Sequence, residues 1–491
     1  MESFGIHWFR RDLRIAGNAA LKLQVDRHQG RVLGVFTFDD RFLGRADFSV
    51  NRFQFFLKSL LALRDDMRAA GGDLLVLSKS PDDGFGMLKN ILAKKSMAPG
   101  SISWSRDYEP FARERDDRMR GIFESWGWEV LTERDHLVIE PHELRSKQGT
   151  PFKIYSPFAK QWFSLMHTED VKERIIRQRA GLAFLDLKAK GKQPKVFHLT
   201  WQKLLGPDTP EDHLERFLAE NGRHVTVPIP EAGAPAVWKL VREFSGKMAS
   251  YGATRDFMAT PGTSKMSMFL KNGSITTSQL IAAYELEHLK FTGDDGATKY
   301  LKELVWREFY YHVMWHWPQT EHQAFIEKYR AINWHNDEKL FEAWKEGKTG
   351  FPVVDAAMRE LKTTGWMHNR ARMIVASFLT KDLLIDWRWG EKWFMNQLLD
   401  GDLAPNNGGW QWAASTGCDP QPYFRIFNPL LQSERFDPDG DYIRRFIPEL
   451  KTVSTKEIHN PSSDTRKKTG YPDPVVIHAE QKIRASMLFK I

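Results

Sequence analysis

The chain has 491 residues, of which 42% are hydrophobic, and carries a formal net charge of +8 with a pI of about 9.2. This length exceeds one ordinary core, so at least two domains are expected. Neither a membrane span nor a signal peptide is expected, since no long uncharged apolar run occurs. The single cysteine, Cys418, excludes an internal disulfide and a thiolate metal cluster. These features favour the cytoplasm, and the basic balance permits nucleic-acid binding without requiring it.

The first 135 residues alternate between strand-like and helix-like patterns. Amphipathic spacing from Phe53 to Leu63 and the charged stretch 113–124 predict helices. Short apolar runs predict five strands at 6–9, 32–38, 74–77, 101–104 and 129–131. This alternation is typical of an α/β domain with a doubly wound parallel sheet. No Gly-x-Gly-x-x-Gly follows the first strand, so the standard dinucleotide fingerprint is absent.

The remainder of the chain divides into a connector and a helical region. Over residues 136–230 the periodicity loosens and ends in a stretch rich in Pro, Gly and Ala, which predicts an interdomain connector containing some helix. Residues 231–491 predict a larger, all-helical domain. Its predicted helices span 236–251, 277–289, 297–316, 322–330, 337–345, 351–362, 367–381 and 390–398.

Two polar segments suggest a ligand. Gly262–Ser267 places small and hydroxylated residues before a helix, which suits a phosphate or ribityl chain, although simple N-capping is the favoured explanation of this segment taken alone. Asp400–Trp412 opens with two aspartates and two asparagines, which are costly to bury without partners. This density suggests a polar ligand, with an irregular hydrogen-bonded loop as the alternative. His312 and His316 lack further ligands nearby, so no metal site is expected.

Four motifs, in order along the chain, resemble the cryptochrome/photolyase family. They are Trp8–Arg14, Trp306–Tyr310, Gly365–Met373 and Asp400–Gly417. Within the family, the likeness is closest to bacterial class I photolyases for cyclobutane pyrimidine dimers, and it extends from about residue 4 to Phe436. The resemblance implies an enzyme that repairs UV-damaged DNA with light, by electron transfer from reduced FAD.

The resemblance implies that FAD lies within the helical domain. Arg372 would pair with Asp400 and keep this carboxylate ionised. Asn406 would lie beside flavin N5, where many plant cryptochromes have Asp and animal ones have Cys, so it favours repair over signalling. The cofactor contacts implied by motif position are Tyr251, Thr263, Ser264, Lys265, Met266, Ser267, Arg372, Asp400, Asp402 and Asn406.

Three tryptophans match the family's photoreduction chain. From the flavin to the exposed end, they are Trp410, Trp387 and Trp334. Ordinary packing in the core is the alternative explanation for each of them.

A damaged dinucleotide must leave the duplex to reach a buried cofactor. The resemblance implies that Trp306 and Trp412 form the two walls around the dimer and that Glu303 hydrogen-bonds the base edges. Asn369 and Met373 complete the pocket, and the absence of a histidine near Met373 speaks against 6-4 photoproducts. The candidates for contact with DNA phosphates are Arg255, Arg307 and Arg370.

The N-terminal domain is predicted to hold a second, light-harvesting chromophore. Tyr108–Arg113 and Lys271 resemble the deazaflavin or flavin types more than the folate type. The expected partner is UV-damaged DNA, bound by a monomer. Two alternatives stay open: a blue-light photoreceptor cryptochrome, and a basic helical DNA-binding protein without a cofactor.

Overall fold

The computed structural model describes residues 3–189 and 195–490, which form an α/β layer followed by a larger helical part. All five predicted strands are confirmed, with ends that differ by at most two residues. They are β1 Gly5–Trp8, β2 Val32–Thr37, β3 Leu74–Leu77, β4 Ser101–Ser105 and β5 Glu129–Glu133. The strands form a parallel sheet in the order β3-β2-β1-β4-β5. The order reverses at β1, so the predicted doubly wound topology is confirmed.

Helices cover both faces of this sheet. Successive strand residues point to opposite faces, so Leu33 and Val35 join one core cluster while Val32 and Phe36 join another. The first core includes residues of α3 and α4, and the second includes residues of α2. The helices of this layer are α1 Ala19–Arg27, α2 Val50–Ala69, α3 Pro81–Lys94 and α4 Pro110–Ser125.

The predicted connector is a packed segment and not a loose linker. Phe158 and Trp162 lie in the core of the helical part, whereas Phe197 and Trp201 return to the cores of the α/β layer. Glu308 anchors it by accepting hydrogen bonds from Val138 N and Trp162 Nε1, both at 2.7 Å. Its helices are α5 Tyr155–Met166, α6 Glu169–Ala189, α7 Trp201–Leu205 and α8 Leu214–Gly222. The predicted limits of the two domains stay a prediction.

The helical part contains fifteen α-helices within the described ranges. They are α9 Gly233–Ser245, α10 Tyr251–Thr254, α11 Ser267–Asn272, α12 Thr277–Ala283, α13 Gly296–His316, α14 Glu338–Lys345, α15 Pro352–Thr364, α16 Asn369–Ser377, α17 Trp387–Gln397, α18 Leu403–Ala413, α19 Pro429–Phe436, α20 Asp441–Phe446, α21 Thr455–Ile458, α22 Ser463–Thr469 and α23 His478–Leu488. Helix α16 continues into a π-helical turn, Phe378–Asp382. No helix among the described residues is long and apolar enough to cross a membrane.

One predicted helix is wrong, and the loop given as the alternative for one polar segment is not found. The helix predicted over 322–330 is replaced by two 3₁₀ turns, Pro318–Glu321 and Glu327–Ala331. The polar segment after Asp402 is helical as α18, and not the irregular loop of the alternative. Pro405 is tolerated in its first turn, and Gln411 on its buried side donates to Thr320 O at 2.9 Å. Because α18 packs against α13, α16 and α17, it brings together most of the predicted site residues.

Candidate functional site

The first, second and fourth motifs meet at the carboxylate of Asp402. Its Oδ1 accepts hydrogen bonds from Arg11 Nη2 at 2.8 Å and from the Tyr311 hydroxyl at 2.6 Å. Its Oδ2 lies 3.2 Å from Arg307 Nη2. Burial alone would raise the pKa of Asp402, but Arg11 and Arg307 hold it well below its usual range. This ion network ties the α/β layer to the helical part.

The network involves two residues for which the sequence predicts other roles. Asp402 is predicted to contact the flavin, and in the structure its carboxylate accepts hydrogen bonds from Arg11, Arg307 and Tyr311. The cofactor contact of Asp402 stays a prediction. Arg307 was expected to contact DNA phosphates, but its side chain is only 11% exposed. Its guanidinium also donates to the carbonyl of Leu270 at 3.3 Å. Contact between Arg307 and DNA would leave Asp402 buried with fewer partners, and this contact stays a prediction.

The third motif joins the fourth through the ion pair between Arg372 and Asp400. Arg372 Nη2 lies 2.8 Å from Asp400 Oδ2 and 3.1 Å from Oδ1. Arg372 Nε donates to Met367 O at 2.9 Å, which orients the guanidinium from the start of α16. Asp400 is 6% exposed, so this carboxylate depends on its cation. The predicted pair is therefore present in the structure.

The segment Gly262–Ser267 lies next to the third motif. Lys265 adopts a left-handed backbone with φ of 54°, and its Nζ lies 4.9 Å from the ring centroid of Trp366. Met266 is the N-cap residue of α11 and makes no side-chain capping hydrogen bond, so the capping explanation is wrong. Thr263 and Ser264 are half-buried, whereas Lys265 and Ser267 are exposed. Tyr251 is buried, with its ring edge-on to that of Tyr300 at 5.5 Å.

Asn406 is held by the carboxylate of Glu391, a residue that is not among the predicted site residues. Asn406 Nδ2 lies 3.1 Å from both Glu391 Oε1 and the backbone oxygen of Glu391. Burial raises the pKa of Glu391 to about 7. A single glutamate in an amphipathic helix carries no signal of this kind, because only the packing of α17 on α18 brings Glu391 to Asn406.

Replacing Glu391 by Gln should change how stability depends on pH. Because the folded-state pKa is raised, ionisation of Glu391 destabilises the wild type as the pH rises from about 4.5 to about 7. Glutamine cannot ionise and can still accept from Asn406. In the flavin-free protein, the free energy of unfolding of Glu391→Gln relative to wild type should therefore increase by about 2 kcal/mol between pH 4.5 and 8. Urea unfolding at a series of pH values measures this difference, and a constant difference would contradict the assigned pKa.

Open space beside Asn406 fits a planar group that passes close to α18. A Cβ atom built on Gly409 meets no described atom within 4 Å, although glycine inside a helix costs about 1 kcal/mol relative to alanine. At neighbouring Gly408, in contrast, a Cβ would lie 2.0 Å from the ring of Tyr310. Packing therefore explains Gly408, whereas Gly409 leaves room for a ligand over the backbone. With Asn406 one turn earlier and the Arg372–Asp400 pair nearby, the residues present fit a flavin.

The three predicted electron-transfer tryptophans share one buried cluster. Trp410 packs against Phe394, with ring centroids 4.9 Å apart, and against Gly390, one turn after Trp387 in α17. Trp334 was expected at the exposed end, but it is only 9% exposed. The reason is Phe489, just after α23, whose ring packs edge-on against Trp334 at 5.8 Å.

The predicted lesion pocket is bordered by α13, α16 and α18. Trp306, Trp412 and Met373 are half-buried, and Asn369 is exposed. Glu303, one turn before Trp306, accepts a hydrogen bond from Arg255 Nη1 at 2.6 Å. The third predicted phosphate contact, Arg370, pairs with Asp256 at 2.8 Å. Two cations and two carboxylates therefore alternate around this rim. No sequence pattern indicates this pairing, because Arg255 and Glu303 are 48 residues apart.

A second polar cluster lies between the α/β layer and the helical part. Arg11 Nη1 is 3.2 Å from Glu109 Oε1, and His136 Nε2 is buried without a hydrogen-bond partner in the described part of the chain. An aromatic pair begins two residues after Glu109 along the chain. Phe111 is 48% exposed and meets the ring of Phe42 edge-on at 5.3 Å. Such a surface can take a flat, polar molecule.

Comparison with known proteins assigns the chain to a family. Residues 5–174 match the model described as DNA photolyase, and residues 300–490 match the model described as the FAD binding domain of DNA photolyase. The chain is 36% identical over 490 residues to the deoxyribodipyrimidine photo-lyase of Vibrio cholerae serotype O1, with 98% of both chains covered. The chain belongs to the cryptochrome/photolyase family. The corresponding enzyme of Escherichia coli strain K12 is 34% identical over 486 residues, with 97% of this chain and 96% of the relative covered.

Solved structures of family members share the fold over the whole length. A bacterial class III photolyase from Agrobacterium tumefaciens matches with a TM-score of 0.82 and 33% identity, covering 100% of this chain and 97% of that chain. An archaeal photolyase from Sulfolobus tokodaii, solved with two FAD molecules, matches with a TM-score of 0.78 and 29% identity, covering 99% of each chain. The predicted α/β and helical architecture is thereby confirmed. The closer likeness to class I stays a prediction.

Proposed function

We propose that this chain uses light to split cyclobutane pyrimidine dimers in DNA, by electron transfer from reduced FAD. One observation carries the proposal. Helix α18 bears Asn406 and the open position at Gly409, and it packs against α13, which bears Glu303 and Trp306. The residues proposed for the cofactor and those proposed for the lesion therefore share adjoining helices. The enzyme is proposed to act as a monomer on UV-damaged DNA in the cytoplasm.

The cofactor is proposed to lie along α18. Reduced FAD, when bound, supplies the electron that light excites and that returns after the cyclobutane ring has opened. Asn406 would hold flavin N5 with a neutral amide that offers no ready proton, and Arg372 keeps Asp400 paired within the site. Tyr251 and the segment Thr263–Ser267 are proposed for the phosphates and the ribityl chain. Trp334, Trp387 and Trp410 are proposed to pass an electron, in that order, to oxidised flavin.

The lesion is proposed to enter between Trp306 and Trp412. Asn369 and Met373 would line the same pocket. In the free protein Arg255 and Glu303 form an ion pair. Binding of a DNA phosphate by Arg255 would release Glu303 to accept hydrogen bonds from the base edges. Arg370 is proposed as a second phosphate contact, released in the same way from Asp256.

A second chromophore is proposed for the cluster around Arg11 and Glu109, with Tyr108 and Lys271 nearby. The Sulfolobus tokodaii photolyase, which was solved with two FAD molecules, supports a flavin-type antenna in this family. The cationic side of the cluster and the aromatic surfaces of Phe42 and Phe111 favour a flavin or deazaflavin over a folate. Absorption spectra of pigments extracted from the purified protein test this assignment.

Direct measurement of repair tests the proposed function. Protein with chemically reduced flavin is mixed with dimer-containing DNA, exposed to blue light, and assayed for restored thymines by chromatography. The expected result is light-dependent loss of dimers, with no loss in the dark. Unchanged dimers in the presence of fully reduced flavin would overturn the proposal and favour a signalling cryptochrome. Protein that purifies without any flavin would favour a DNA-binding protein instead.

Replacing Glu303 by Ala should lower repair roughly tenfold without loss of flavin, because a charged hydrogen-bond acceptor contributes about 1.5 to 3 kcal/mol. Steady-state repair and flavin absorbance are measured on the same sample. Asp256→Ala is the matched control, since it removes a carboxylate from the same rim that is not proposed to touch the bases. If the two substitutions lowered repair equally, Glu303 would contribute only its negative charge to the rim, and the proposed hydrogen bonds to the bases would be contradicted.

A further inference from the structure

The lesion wall formed by Trp306 is backed by a second aromatic ring from the connector. The ring of Tyr155, the first residue of α5, stacks face to face on Trp306, with centroids 3.6 Å apart and planes within 6°. Tyr155 is 7% exposed, whereas Trp306 is half-buried. One face of the Trp306 indole is therefore covered by the protein, and only its other face and its edges are left for bases.

Tyr155 is itself fixed to both elements that carry the lesion walls. Its hydroxyl donates to Lys302 O at 2.8 Å, on α13 and one helical turn before Trp306. Its backbone N–H donates to Asp419 Oδ2 at 3.0 Å, in the loop that follows α18. The same loop folds back on Trp412, whose carbonyl accepts from Gln421 N at 3.2 Å. Tyr155 thus bridges the element of Trp306 and the loop beside Trp412.

A second contact reinforces this bridge. Cys418 Sγ donates to Lys153 O at 3.0 Å, two residues before Tyr155. The segment from Lys153 to Tyr155 is therefore hydrogen-bonded to two consecutive residues, Cys418 and Asp419. Asp419 has a left-handed backbone, with φ of 48°, which turns its carboxylate towards the connector. These attachments leave the Tyr155 ring little freedom to move away from Trp306.

We infer that Tyr155 is a positioning residue that fixes the orientation of Trp306 relative to Trp412 and so sets the enzyme's preference for damaged over undamaged DNA. The inference rests on the proposed function. An indole at a half-open pocket has several rotamers, and ordering it on binding lowers the affinity about three- to tenfold. The stack with Tyr155 meets this cost in advance, since an aromatic pair contributes a similar amount. Loss of the stack should therefore weaken lesion binding about three- to tenfold.

The test compares Tyr155→Leu with Tyr155→Phe in the flavin-loaded protein. Binding is measured by fluorescence anisotropy with a labelled duplex that contains one thymine dimer and with the same duplex undamaged. Tyr155→Leu should lose about three- to tenfold in affinity for the dimer and none for the undamaged duplex. Tyr155→Phe keeps the stacked ring and should stay within about twofold of wild type. Phe341→Leu removes a stack on Trp344 away from the pocket and should leave both affinities unchanged.

A double substitution distinguishes positioning from general stability. If Tyr155 acts through Trp306, adding Tyr155→Leu to Trp306→Ala should cause no further loss of dimer affinity. Three results would each overturn the inference: additive losses in the double variant, equal losses on damaged and undamaged DNA, or unchanged binding by Tyr155→Leu. Dimer repair by the wild type would still uphold the proposed function in these cases. Absence of dimer repair and of dimer preference in the wild type would instead overturn the proposed function, and the inference with it.

Discussion

Trp410→Phe should abolish photoreduction of oxidised flavin while repair by chemically reduced protein persists. Phenylalanine is far harder to oxidise than tryptophan, so the proposed chain would lose its first donor. The fold should tolerate the change, because Phe fills most of the site against Phe394 and Gly390. Trp410 Nε1 is also buried without a hydrogen-bond partner among the residues that the structure describes, so removing it relieves a desolvation cost of about 1 to 3 kcal/mol.

Absorbance of oxidised flavin under blue light with an external reductant measures this effect. Trp344→Phe is the matched control, because Trp344 is fully buried and its ring lies 6.1 Å from that of Trp410. Trp344 Nε1 donates to Val375 O at 3.2 Å, so this control should destabilise the fold more than Trp410→Phe does. It should nevertheless photoreduce normally. Photoreduction lost in Trp344→Phe but kept in Trp410→Phe would refute the proposed chain.

Gly409→Leu should yield a folded protein without flavin. The side chain would occupy the space next to Asn406 that the flavin is proposed to fill. Overpacking a filled site costs about 1 to 3 kcal/mol, or roughly 5- to 150-fold in affinity. Gly409→Ala should weaken flavin binding less, and it should stabilise the flavin-free protein by about 0.5 to 1 kcal/mol, since alanine favours the helix. Flavin absorbance per protein and urea unfolding of the flavin-free forms measure both effects.

The neighbouring glycine supplies the control. Gly408→Ala places a methyl group against the ring of Tyr310, so it should destabilise the flavin-free protein. Alanine is expected to stabilise the flavin-free protein at position 409 and destabilise it at position 408 only if position 409 faces open space. Flavin binding by Gly409→Leu at the wild-type level would show that no cofactor passes this part of α18, and the proposed site would then be wrong.

The architecture of the first 135 residues could be predicted because its signals are local. Each strand is a short apolar run, and runs such as Leu74–Leu77 are buried on both faces of a parallel sheet. The segment from Asp400 to Trp412 was harder to assign. Its polar residues favour a loop by composition, yet α18 forms because side chains such as Gln411 find partners on other elements. Tertiary contacts there outweigh local preference.

The predicted cofactor and lesion residues came from motifs, and the structure gives neighbouring members of the list different partners. Asp400 and Asp402 look alike in sequence, being two residues apart. One pairs with Arg372 inside the helical part, whereas the other is bound by Arg11 from the α/β layer. No sequence pattern indicated a role for Glu391 or Tyr155. Glu391 bonds to Asn406, 15 residues away, and Tyr155 stacks on Trp306, 151 residues away.

Local patterning along the chain was therefore enough to establish the sheet, the helical character of the second half and the family. Only the folded structure decided the partners in each ion pair, the burial of Trp334 and the ring that stacks on Trp306. The physical reason is that strand and helix signals arise within a few neighbouring residues. Ion pairs, stacked rings and open space for a ligand arise between segments that only packing brings together.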